Sequence, residues 1–201
     1  MGNGRSLLRT PFQQLKNEVT FAVGRVNLLF NHTDWRPTNY VRIEEDGIDI
    51  DWWAHDMFYI LNLGIPVYLG AGFRGHYRNF GLRHCEKPTT RIEWVETCDG
   101  NHPPGWHLPK ICLYGGSLFV AIQLAVLQGY DPIYLVGCDL SGGHFSPVYA
   151  KGVQKEKVES YWEDAHKITL RDCPVRVYNS SIGGTLDVYE RKSLWGIDGN
   201  G

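Results

Sequence analysis

Gly115-Gly116-Ser117-Leu118-Phe119-Val120-Ala121-Ile122-Gln123-Leu124-Ala125-Val126-Leu127, with Gly129 behind it and then Ile133-Tyr134-Leu135-Val136-Gly137-Cys138-Asp139, is the stretch that decides the fold. Leu118 to Leu127 is apolar on every side and too long for a strand, which predicts a buried helix opening at Ser117 and stopping at Gly129. Ile133 to Gly137 is a continuous apolar run of strand length, as expected for a strand covered on both faces of a parallel sheet. Helix, strand and then a glycine-rich loop is the rhythm of an α/β chain.

The flanks repeat that rhythm. Upstream, Thr20 to Asn27, Tyr40 to Glu44 and Pro66 to Leu69 read as strands, with a helix over Asp51 to Leu63 between the last two. Thr10-Pro11-Phe12-Gln13 has the form of a capping box with proline at the first helical position, so a short helix is expected to run to about Lys16. Downstream, a helix over Glu156 to Leu170 precedes strands at Val175 to Tyr178 and Thr185 to Tyr189. Residues 74–112 are rich in Gly, Pro, His and Asn, with only Thr90 to Thr97 strand-like, and read as a long loop-rich insertion. The expectation is one Rossmann-like, doubly wound domain over residues 1–201, its sheet mostly parallel with helices on both faces.

Bulk properties narrow the function classes. The 201 residues are 43% hydrophobic and 21% charged, an ordinary globular balance. A formal net charge of −2 gives no basic field for a nucleic-acid backbone. No apolar run is long enough to span a membrane, and the first residues lack a signal-peptide layout. Five cysteines without a C-x-x-C pair fit reduced thiols and a cytoplasmic location.

Four groups of residues could carry chemistry. Gly2-Asn3-Gly4-Arg5-Ser6-Leu7 offers backbone N–H groups without a Cβ in the way and leads into a helix start, as a phosphate loop does. Such a loop ordinarily follows a buried strand, for which there is no room before Met1, so either the sequence is truncated there or the sheet starts late. Gly116 and Ser117 open the buried helix, where Ser117 can cap it or bind a phosphate. Asp139 ends the central strand and His144 follows on a flexible loop, so Asp139 is a candidate for a ribose hydroxyl or a magnesium ion and His144 for a general base. His76, His84, Cys85, Cys98, His102, His107 and Cys112 are zinc-ligand types without the spacing of a closed site, and no metal is expected there.

Taken together, Gly-Asn-Gly-x-Ser-Leu at residues 2–7, the Gly-Gly-Ser helix leading to Ile133 through Asp139, and Asn179-Ser180-Ser181-Ile182-Gly183-Gly184-Thr185-Leu186 resemble the 6-hydroxymethylpterin diphosphokinase MptE-like family. That family includes motility-associated flagellin glycosylation factors. The motifs are also similar to those of the bacterial sialyltransferases that use CMP-sialic acid. That second resemblance implies a nucleotide site built from Gly2, Asn3, Gly4, Ser6, Arg25, Asn27 and Ser117, and a base in the region of His144. Arg5 stands where a proline is usual.

Three functions follow as expectations. The first is a glycosyltransferase that takes a nucleotide-activated sugar, CMP-linked, for surface-glycan synthesis. In it His144 deprotonates a glycan or small-molecule acceptor, Tyr149 helps stabilise the leaving group, and no metal is required. The second is a diphosphokinase moving pyrophosphate from ATP to a hydroxymethylpterin, with Asp139 holding Mg2+ and Trp52, Trp53 or Trp106 stacking the pterin. The third is a nucleotide-binding protein without turnover.

Overall fold

The computed structural model describes residues 1–44, 50–75, 91–98, 106, 111–112, 116–140, 143–149 and 155–194; the side chains of residues 50–54, 112, 149 and 155–161 lie outside the description. A four-stranded, all-parallel sheet runs in the order β1 (Phe21–Val23), β2 (Asn39–Arg42), β3 (Val67–Gly70) and β4 (Ile92–Val95). Its register pairs Phe21 with Asn39, Tyr40 with Val67, and Val67 with Ile92. Two further parallel pairs are β5 (Thr97–Cys98) with β6 (Ile111–Cys112), and β7 (Ile133–Leu135) with β8 (Val177–Asn179).

Three α-helices accompany the strands among the described residues: α1 (Ile50–Asn62), α2 (Ser117–Leu127) and α3 (Lys155–Arg171). Every residue of α2 from Ser117 to Ala125 is buried, as its uniform apolarity predicts. Even Gln123 is fully covered, its amide donating to Phe119 O at 3.2 Å. The helix ends at Gln128, and Gly129 turns the chain away with a φ of 84°.

Two apolar clusters form the core. One gathers Leu7, Val26, Leu29, Trp35, Met57 and Leu61. The other packs α2 against Val23, Val41, Leu135 and Leu186. The α/β class and the parallel pairing of the strands agree with the sequence.

Several local expectations do not hold. The residues after Pro11 form a 3-10 turn, Phe12–Leu15, and the Thr10 hydroxyl donates back to Ser6 O at 3.2 Å instead of capping forward. The first strand stops at Val23, because Gly24 has a φ of 62° and the chain enters a 3-10 helix over Val26–Asn31. Thr185 to Tyr189 is not a strand. Thr185 N–H donates to Asp139 O at 2.8 Å, and Leu186 O accepts from the Asn179 amide at 2.7 Å, so the groups a ladder would use are taken by a loop and a side chain. Cys98 is disulfide-bonded, contrary to an all-reduced set, while Cys138 and Cys173 are free thiols.

Candidate functional site

The segment Met1 to Ser6 lies against the carboxyl end of β7. Gly2 N–H donates to Val136 O and Gly4 N–H to Gly137 O, both at 2.8 Å, and Phe145 N–H donates to Asn3 O at 2.9 Å. Gly4 also forms an isolated antiparallel bridge with His144. The glycines serve close packing at this junction. A Cβ on Gly2 would come within 2.5 Å of Gly137 O, and one on Gly4 within 2.5 Å of the Asp139 carboxyl carbon. The anion on the loop is a side chain of the protein itself: Ser6 N–H donates to Asp139 Oδ2 at 2.7 Å and the Ser6 hydroxyl to Asp139 Oδ1. Asp139 is 5% exposed, and its main-chain oxygen receives Thr185 N–H from the opposite side.

The end of β1 supplies the next group. The Asn3 amide donates to Val23 O at 3.1 Å. Arg25 and Asn27, which lie on the turn and 3-10 helix after β1 and not on the strand, converge on Asp56 of α1. The Arg25 Nε to Asp56 Oδ2 distance is 2.6 Å, and Asn27 Nδ2 reaches Asp56 Oδ1 at 2.7 Å. With both amide nitrogens so engaged, Asn3 Oδ1 and Asn27 Oδ1 are buried acceptors without a hydrogen-bond partner among the described residues.

A second carboxylate holds the start of α2. Gly116, at a φ of 99°, is the N-cap residue in place of the expected Ser117. Ser117 N–H donates to Glu44 Oε1 at 2.6 Å, its hydroxyl donates to Glu44 Oε2, and the same hydroxyl accepts from Ile43 N–H at 2.9 Å. Glu44 thus caps α2 from beyond the end of β2, where a carboxylate also meets the positive end of the helix dipole. A Cβ on Gly116 would collide with Glu44 Oε1.

His144 is half-buried, and that burial lowers its pKa below the ordinary imidazole value, an effect the Asn3 carbonyl partly offsets. It is therefore neutral, and able to accept a proton, at pH 7. Leu140, directly after Asp139, has a φ of 62°, a left-handed conformation uncommon for a residue with a branched side chain. Such backbone conformations collect at functional junctions.

The structure therefore brings Gly2, Asn3, Gly4, Ser6, Asp139 and His144 together past the end of β7, places Arg25 and Asn27 past β1, and sets Gly116 and Ser117 past β2. All are at carboxyl ends of parallel strands, the edge where α/β sheets bind ligands. Sequence reasoning missed Glu44 and Asp56. Neither stands in a motif or at a fixed offset from its partner, since 73 residues separate Glu44 from Ser117 and 31 separate Asp56 from Arg25.

The side chains of Tyr149, Trp52 and Trp53 lie outside the described residues, as do His76, His84, Cys85, His102, His107 and the Cys112 side chain. Among the described residues no group of three or more His, Cys, Asp or Glu could hold a metal ion, and no helix is long and apolar enough to cross a membrane. A scan against protein-family models and searches of curated proteins and solved structures gave no match to the chain.

Proposed function

We propose that the chain is a nucleotide-dependent transferase on a Rossmann-like, doubly wound domain, and specifically a glycosyltransferase that takes a CMP-type activated sugar. The observation that carries this reading is a pair of amide oxygens, Asn3 Oδ1 and Asn27 Oδ1, buried at the carboxyl edge of the sheet with no donor among the described residues. A buried acceptor without a donor costs about 1–3 kcal/mol, which a ligand presenting N–H or O–H groups would recover. The exocyclic amine of cytosine and the ribose hydroxyls are such donors.

The two serine sites already accommodate paired anionic oxygens from Asp139 and Glu44. In the proposed complex the donor phosphate takes the place of Glu44 at the start of α2, where the helix dipole favours an anion. His144 accepts the proton of the acceptor hydroxyl as the new bond to the sugar carbon forms. The bond from that carbon to the phosphate oxygen breaks, and CMP leaves with the electron pair. No metal is needed for this step. A diphosphokinase would call on Asp139 for Mg2+, but both Asp139 oxygens are bonded to Ser6, which favours the sugar-transfer reading.

A thermal-shift panel of CMP, CDP, UDP, GTP and ATP, each with and without Mg2+, tests the proposal. A ligand at 100 times its Kd raises stability by about 2.7 kcal/mol. CMP is expected to stabilise the chain without Mg2+. A shift seen only with ATP and Mg2+ would transfer the assignment to the diphosphokinase, and no shift with any nucleotide would end the nucleotide reading.

A further inference from the structure

An apolar cleft of about 410 Å3 lies between β1 and β7. The residues up to Phe21 form one wall, Tyr134 to Val136 the other, and Ala121 and Ile122 of α2 the floor. The two strands that flank it are not paired with each other. At its carboxyl end the cleft is closed by Met1, whose amino nitrogen donates to Phe21 O at 2.8 Å, while Gly2 N–H donates to Val136 O at 2.8 Å. Met1 and Gly2 thus bridge the two strands, with one bond to each side, as a residue of an intervening parallel strand would.

Among the described residues, the walls present open backbone groups. Ile133 N–H donates to Arg176 O and Leu135 O accepts from Ser180 N–H, so both residues face β8. The alternation of a parallel ladder then turns the Tyr134 N–H and C=O and the Val136 N–H toward the cleft. Opposite them Phe21 faces the cleft, because its C=O accepts from Met1 and its N–H points to the same side. Backbone donors and acceptors at buried positions are almost always paired, and two facing strand edges are paired by a strand.

We propose that this cleft is the seat of one further β-strand, an extended apolar segment of about five residues that lies parallel to β1 and β7 and is joined through its carboxyl end to the Met1 nitrogen. The lining is mostly apolar, with Ala121 and Ile122 of α2, Leu15 and Leu194 among it, so the occupant carries mostly apolar side chains. A helix in the cleft would leave both edges unpaired. Met1 and Gly2 already occupy the carboxyl end of this strand position, with one bond to each edge, and the occupant extends that pairing along both edges.

The test compares amide hydrogen exchange in the chain alone, in the chain with added acetyl-Lys-Val-Ile-Val-Val-amide, and in a chain carrying Lys-Val-Ile-Val-Val joined to Met1. Protection at the Phe21, Tyr134 and Val136 amides is expected to rise at least tenfold in the joined form, with a higher Tm. The amides of α2 serve as the internal measure that each form is folded. An Ala125→Phe substitution in the joined form, which narrows the cleft, is expected to remove the gain while α2 stays protected. No gain at the three amides in a folded joined form would overturn the proposal. An equal gain from the free peptide would overturn continuity with Met1 and make the cleft an acceptor for a separate chain. None of these readouts involves a nucleotide, so the outcome is independent of the transferase reading.

Discussion

Burial lowers the pKa of both His144 and His166, and the proposed function gives the two residues different roles. His144 sits half-buried beside the Gly4 bridge, with its pKa lowered by burial. His144→Asn is expected to lower turnover by ~10²–10⁴ while nucleotide affinity, measured by titration calorimetry, changes little, since the binding groups lie on other loops. In the unaltered chain the base-dependent fall in kcat/KM is expected below the ordinary imidazole range near pH 6.5, because the base keeps its neutral form to lower pH. Full activity in the asparagine variant would remove His144 from the chemistry. His166 is 3% exposed, its Nδ1 lies 2.8 Å from the Tyr189 hydroxyl, and burial pushes its pKa down to about 3. Between its unfolded value near 6.5 and that folded value the unfolded chain binds the extra proton, so stability is complete above pH 6.5 and is lost as the pH falls. The slope approaches roughly 1.4 kcal/mol per pH unit. Urea midpoints between pH 7 and pH 5 measure it, and His166→Gln is expected to flatten the dependence; an unchanged slope would place the acid sensitivity elsewhere.

At the scale of elements, what could be read in advance is what depends on local pattern. The uniform apolarity of Leu118 to Ala125 and the run from Ile133 to Val136 dictated a helix and a strand, and α2 and β7 are found there; the helix is buried as expected, but Ile133 and Tyr134 are only half-buried, because β7 pairs with β8 alone and does not lie in the middle of the larger sheet. The caps were not legible. Thr10 and Gln13 carry the spacing of a capping box, yet the Thr10 hydroxyl is spent on Ser6 O. The start of α2 is held by Glu44, whose place is set by the sheet and not by proximity in the chain. The two glycines bounding α2 separate these effects. Gly129 has a φ of 84° and open space around it, so Gly129→Ala meets only backbone strain, ~1–2 kcal/mol. Gly116 has a φ of 99°, and an added Cβ would also strike Glu44. Gly116→Ala is therefore expected to cost more than Gly129→Ala in urea unfolding and to weaken any ligand bound at Ser117. Equal losses would mean that Glu44 moves aside freely.

At the scale of the whole molecule, Asp139 joins three parts of the chain that are far apart in sequence. Its carboxylate receives the Ser6 N–H and hydroxyl, which anchors the first residues. Its carbonyl receives Thr185 and Leu186 N–H, which anchors the segment after β8. Gly184, at a φ of 80°, packs so closely that a Cβ would come within 2.5 Å of the Asp139 backbone. Arg9 adds a bond to Ile182 O across the same seam. Asp139 was singled out in the sequence for its place at the end of the central strand, where a carboxylate could serve a ribose or a metal. The contacts it makes are those of a latch. The two roles predict different things of Asp139→Asn and Asp139→Ala. As a latch, the alanine variant leaves the Ser6 N–H and hydroxyl buried without an acceptor, a loss of about 2–6 kcal/mol if each costs about 1–3 kcal/mol. Asparagine, which keeps one acceptor oxygen, should cost about half as much. Both variants should show faster amide exchange at Ser6 and Thr185 together, the Thr185 change reporting that the loops on the two sides of Asp139 loosen as one. As a magnesium ligand, Asp139 would instead give two variants equally defective in metal-dependent turnover with native exchange at Thr185. A stable, normally protected Asp139→Ala protein would show that the junction is held by the backbone contacts alone.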